Sequence, residues 1–134
     1  QVEGLLQDKV KNIKQELINK KEHINGINFI SDVVEIESAA AMKDLAFQLK
    51  KEVDNLVLFM GANIKGKANL SLMISENLVN EKGLNAGNVI REAAKEIQGG
   101  GGGQAFYATA GGKDPGKLQA ALDKGKSIIL EEVE

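Results

Sequence analysis

The sequence predicts an α/β fold: a helix of coiled-coil character over residues 1–25, then a small globular domain over 26–134 with a mixed β-sheet and packed helices. Three observations carry this. Residues 1–24 set apolar side chains at helical spacing, whereas Leu56-Val-Leu-Phe-Met60 is continuously apolar, as in a strand covered on both faces. Helix start signals at Ser38, Asn85 and Asp114-Pro115 alternate with strand-like runs. The resulting order, α then β-α-β-β-α-β-α, includes a β-α-β crossover and a hairpin, and together these make a mixed sheet.

The first helix places Leu6, Val10, Ile13, Leu17 and Ile24 on a 4-3-4-7 spacing, a heptad seam interrupted at Lys20. So narrow a stripe needs either a partner helix, making this an oligomerisation seam and a homodimer contact, or a fold back onto its own domain. Asn25-Gly26 stops the helix. A strand follows within Phe29 to Ile36, and Ser38 caps a helix with Met42, Leu45, Ala46, Leu49 and Val53 on one face. After Leu56–Met60 the chain turns at Asn63-Ile-Lys-Gly66-Lys, and Leu70, Leu72 and Ile74 alternate along the next strand. Asn85 caps a helix running to Ile97, with Leu84 and Val89 as its hydrophobic staple. A short strand around Phe106-Tyr-Ala108 precedes Asp114-Pro115, a cap with proline at the first helical position, and a last helix through Leu118, Leu122 and Ile129.

With 134 residues the chain suits one domain plus an appendage, and its start at Gln1 inside a helical pattern suggests a piece of a longer protein. It has no cysteine, which excludes a disulfide framework and a thiolate metal site. No apolar run approaches the roughly 20 residues of a membrane span, and no signal-peptide pattern appears, so the expectation is a cytoplasmic protein without a membrane partner. The net charge of −2 argues against gripping nucleic acid by bulk electrostatics. Residues 61–117 nevertheless hold seven basic groups against five acidic ones, which leaves room for a local, shape-reading contact.

Catalytic chemistry has little to work with. Gly61 to Lys67 has P-loop spacing, but Ala68 replaces the hydroxyl that would hold magnesium, and a strand follows where a helix is required. Gly100, Gly102 and Ala105 satisfy a dinucleotide pattern only because any glycine run does. His23, the only histidine, falls near the end of the first helix, as a surface residue. Asp32, Glu35 and Glu37 read as a solvated sheet face. No catalytic residue, metal or cofactor is expected.

The five consecutive glycines Gly99–Gly103 are the chain's most unusual feature. Ordering each costs roughly 0.5–1 kcal/mol more than ordering alanine, so the run is either a tether or a place where backbone approaches something closely. A helical pattern leads in, a strand-like segment leads out, and no linker residues intervene, which favours close approach. The loop Ala110-Gly111-Gly112-Lys113 enters the last helix and offers a phosphate site at a helix N-terminus, although Asp114 competes for those N–H groups. Lys65 and Lys67 at the hairpin tip form a second basic patch. Phe106 and Tyr107 point to opposite faces, one to the core and one free to stack on a base.

The pattern Gly101-Gly-Gly-x-x-x-x-Ala108-x-Ala110-Gly111-Gly112 resembles the glycine-rich signature near the C-terminus of bacterial alanyl-tRNA synthetases. That signature belongs to the DHH-associated domain, which a large phosphoesterase family shares. Gln104 stands where the phosphoesterase branch has histidine, and the spacing to Ala110-Gly-Gly suits the synthetase branch. Ala105-Phe106 stands where synthetases often have Pro-Asp. The resemblance implies a non-catalytic domain that binds the elbow of alanine tRNA, couples aminoacylation to editing, and works beside the synthetase's own catalytic and editing domains. The residues expected to touch tRNA are Gly100, Gly101, Gly102, Gly103, Gln104, Gly111, Gly112, Lys113, Lys65 and Lys67. The alternatives are a substrate-binding domain of a phosphoesterase and a purely structural oligomerisation module.

Overall fold

The computed structural model describes residues 15–24, 26–34, 36 and 38–133. Six strands, β1 (Glu22–Ile24), β2 (Ile27–Val33), β3 (Leu56–Ile64), β4 (Lys67–Ile74), β5 (Gly99–Gly103) and β6 (Tyr107–Gly112), form one sheet in the order β1-β2-β3-β4-β6-β5. Only β2 and β3 run parallel, joined by the helix α1 (Ala39–Glu52), and the other neighbours are antiparallel. Two helices follow β4, α2 (Glu76–Lys82) and α3 (Ala86–Ala94), and α4 (Leu118–Val133) closes the chain. The mixed sheet with packed helices is the fold the sequence predicts.

Alternation along β3 decides which layer covers which face. Leu58, Met60 and Ala62 pack with Met42, Leu45, Ala46 and Leu49 of α1. Val57 and Phe59 point the other way, into a cluster with Val89, Ile90 and Ala93 of α3 and with Leu118, Leu122 and Ile129 of α4. A strand buried on both faces reads as continuously apolar, which is why Leu56–Met60 was legible. The caps are also where the sequence puts them. Ser38 Oγ accepts from Ala41 N at 3.1 Å, Asn85 Oδ1 from Asn88 N at 3.1 Å, and Asp114 Oδ1 from Gly116 N at 3.1 Å.

Three local readings are corrected. The first helix does not continue to Ile24: residues 15–19 are helical, Lys20 is a turn, and Glu22–Ile24 is the edge strand β1, pairing Ile24 with Ile27 across Gly26 at φ +84°. Ile24 therefore packs against the α4-side core, and His23 sits on a strand, 3.1 Å from Asn28 Oδ1. Leu17 is fully buried against Ile30, Val34 and Ile36 of its own chain. The rest of the seam, Leu6, Val10 and Ile13, lies outside the described residues, as do Glu35 and Glu37. Second, the seven-residue helix α2 is an additional element, ended by Gly83 at φ +69°. Third, the glycine run is a strand.

Candidate nucleic-acid interface

β5 is made of glycine alone and lies at the sheet edge, in register with β6: Gly100 faces Gly111 and Gly102 faces Thr109. Its two faces differ. A Cβ placed on Gly99, Gly101 or Gly103 would strike β6 backbone, reaching Gly112 Cα at 2.5 Å, Ala110 Cα at 2.5 Å and Ala108 Cα at 2.7 Å respectively. A Cβ on Gly100 or Gly102 meets nothing within 4 Å. Close approach is thus real, but at the odd positions it is β6 that comes near. Only the even positions face open space.

The open side is the sheet face that α1 leaves bare. α1 covers β3 and the near part of β4, so Asn69, Ser71, Tyr107, Thr109 and the even glycines remain along a groove of about 450 Å³. A second cavity of about 310 Å³ continues from it, bounded by Lys43 and Phe47 of α1 and by Gln104 and Phe106.

The residues expected to bind tRNA fall into two groups. Lys65 (φ +54°) and Gly66 (φ +82°) form the two-residue turn of the β3–β4 hairpin, a geometry that needs positive φ twice. The ladder then sets Lys67 beside Ala68, which pairs with Gly112, so Lys65, Lys67, Gly111, Gly112 and Lys113 gather at one end of the sheet. Gly103 and Gln104 lie at the other end of β5, and Gln104 N donates to Tyr107 O at 2.9 Å. The phosphate site expected at the start of the last helix is corrected. Gly111 and Gly112 belong to β6, Ile97 O accepts from both Lys113 N (2.9 Å) and Asp114 N (3.1 Å), and Asp114 occupies Gly116 N. What Lys113 offers is its exposed side chain.

Residues 26–131 match the DHHA1 domain family. The chain belongs to that family. Over 129 residues it is 54% identical to an alanine–tRNA ligase of Christiangramia forsetii, covering 96% of this chain and 15% of that protein. The crystal structure of the C-Ala domain from Aquifex aeolicus alanyl-tRNA synthetase superposes with a TM-score of 0.71 at 29% identity, covering 85% of this chain and 97% of that one. RecJ from Thermus thermophilus shares the fold, with a TM-score of 0.60 at 13% identity over 96% of this chain and 17% of that one. The resemblance seen in the glycine signature therefore extends to the synthetases along nearly the whole sequence. This DHHA1 domain spans only 15% of the length of the ligase it matches.

Sequence reasoning missed the groove wall of this DHHA1 domain. Phe47 and Tyr107 rings lie 5.4 Å apart at 53°, Lys43 Nζ stands 5.9 Å over the Phe47 ring, and Lys50 Nζ stands 5.1 Å over Phe106 while bonding Glu76 Oε1 at 3.1 Å. Phe106 and Tyr107 are both half-buried, so neither is simply core. Ser71 Oγ donates to Tyr107 Oη at 3.1 Å. Burial pushes the Tyr107 hydroxyl above the usual tyrosine range, and the Ser71 bond opposes this in part. The neutral form is favoured in the folded state. The stability this contributes is fully present below the unfolded tyrosine pKa and is lost as pH rises through the higher folded one. Because Tyr107 is the only tyrosine, ultraviolet titration should show phenolate appearing at higher pH in the native chain than in the chain unfolded by urea. Coincident curves would refute it.

Proposed function

We propose that this DHHA1 domain is the C-terminal tRNA-binding module of an alanine–tRNA ligase, without catalytic groups of its own. It contacts the outer corner of tRNA, helps join the aminoacylation and editing carried by the parent's other domains, and contributes to the parent's dimerisation. The observation that carries the reading is the 54% identity to an alanine–tRNA ligase across 129 residues. The exposed lysines at one end of the sheet support it. Lys65, Lys67 and Lys113 take part in no ion pair among the described residues, so each is available to a phosphate. The phosphoesterase reading has only a likeness of fold behind it.

The test compares alanine tRNA, a second tRNA and an unstructured RNA of equal length, across a salt series. Folded tRNAs should bind more tightly than the unstructured RNA. Lys67→Ala and Lys113→Ala should each weaken binding and lower the slope of log K against log salt by about one. Equal affinity for all three RNAs would defeat corner recognition, and unchanged slopes in both variants would remove the lysines from it.

A further inference from the structure

We infer that residues 17–24 form a rigid joint, in which Leu17, Lys20 and Asp32 are positioning residues that hold the helix of residues 15–19 at one angle to the sheet. The use made of that angle rests on the reading that this module serves a ligase whose domains share one tRNA. The joint itself does not.

The segment straddles the sheet edge beside β2 and is fastened on both faces. Leu17, fully buried, lies in the α1-side core with Ile30, Val34 and Ile36, and Ile18 packs against the same cluster. Further along, Ile24 packs against the opposite, α4-side core. Two ion pairs hold the crossing between them. Lys20 Nζ donates to Asp32 Oδ2 at 2.6 Å while Asp32 Oδ1 accepts from Val33 N at 3.0 Å, so one carboxylate ties the turn to β2. Lys126 Nζ donates to Glu22 Oε2 at 3.0 Å and stands 5.7 Å over the Phe29 ring, which ties β1 to α4. The turn is closed as well: Lys20 N donates to Glu16 O and Leu17 O, and Lys21 N to Ile18 O, each at 3.1 Å.

These fastenings differ in strength. Both ion pairs are partly exposed, and such pairs are weak and screened by salt. Burial of Leu17 is not screened, so the apolar plug holds the joint and the ion pairs trim its angle. A flexible stretch of about seven residues would spread its ends over roughly 15 Å, at 5–6 Å × √n. A fastened one presents the hairpin lysines from a single direction to a tRNA held elsewhere on the parent. Their effective concentration there rises when the geometry fits.

Because the chain has no cysteine, spin labels can be placed in chosen pairs. Glu16, Gln48 and Glu81 are all exposed. Labels at Glu16→Cys and Gln48→Cys span the joint, and labels at Gln48→Cys and Glu81→Cys span the globular domain alone. Dilution into unlabelled chain removes distances between copies. The joint distance should be distributed as narrowly as the control, at about 0.1 M and about 1 M salt alike. Leu17→Ala should broaden it about twofold or more and cost the Lys20 and Lys21 amides about tenfold in exchange protection, with the control distance unchanged. Lys20→Asp, which sets two carboxylates together, should shift its mean, and Lys20→Arg should match the wild type. In the parent ligase Leu17→Ala should lower kcat/KM for aminoacylation about tenfold, while the 134-residue chain keeps its tRNA affinity within about twofold. A joint distance broader than the control in the wild-type chain, or unmoved by Leu17→Ala, would overturn the joint and leave the tRNA reading standing. A narrow joint in a chain that binds no tRNA would do the reverse. Full ligase activity with a broadened joint would overturn the positioning role.

Discussion

Gly101→Val should destabilise the domain by about 3 kcal/mol, whereas Gly100→Ala and Gly102→Ala should each stabilise it by about 0.4–1 kcal/mol. A single run of identical residues thus divides by parity. At Gly101 a new Cβ would collide with Thr109 O and Ala110 Cβ and come within 2.5 Å of Ala110 Cα. Two of those atoms are backbone in the middle of β6, which is itself held by β4, so nothing can move aside cheaply. The strand must separate or the sheet must distort. At Gly100 and Gly102 the alanine methyl enters open space, φ is not in the left-handed region, and the unfolded chain loses conformational freedom. Urea unfolding of the three variants decides it. Equal midpoints for odd and even positions would show that β5 does not pair with β6 in solution as described.

Gly125→Ala should cost about 2 kcal/mol, although alanine is the better helix former by about 1 kcal/mol. Gly125 is buried on α4, where a methyl would meet Phe59 Cε2 and approach Cδ2 at 2.7 Å and Cζ at 3.2 Å. Phe59 is fully buried in the middle of β3, so turning its ring aside would displace other core side chains. Glycine here lets a helix lie directly on an aromatic ring. In a Phe59→Leu background the clash is relieved, and Gly125→Ala should then be neutral or stabilising. Thermal unfolding of the double-mutant cycle measures this. An equal cost in both backgrounds would mean that the ring is not the obstacle.

What was legible in the sequence was local. Ser38, Asn85 and Asp114-Pro115 announce helices because a cap acts within three residues. Leu56–Met60 announces a doubly covered strand because burial on both faces leaves no polar position. β5 could not be read this way. Glycine disfavours strands by propensity, and only the neighbouring β6 backbone gives these five residues a reason to be extended. β1 was hidden because Glu22-His23-Ile24 continues the charged helical pattern before it, while its pairing with β2 depends on a turn at Gly26. For the candidate site, lysines at a hairpin tip are visible as charge beside a turn. The groove is not, because Lys43 and Phe47 on α1 meet Tyr107 and Thr109 on β6 only after the sheet has assembled.

Five identical residues carry no information about alignment. In most strands a one-residue slip exposes the core face, and that penalty sets the pairing. β5 has no side chains to expose, so its alignment must come from its ends. At one end Ile97 O holds Lys113 N and Asp114 N, and at the other Gln104 N reaches Tyr107 O. These two anchors act like the pins of a gauge, and the number of glycines between them is a measured length. Losing or gaining one would leave composition almost unchanged yet exchange the clash-prone and open positions along the whole strand. Length, more than residue identity at any single site, is therefore what this segment encodes.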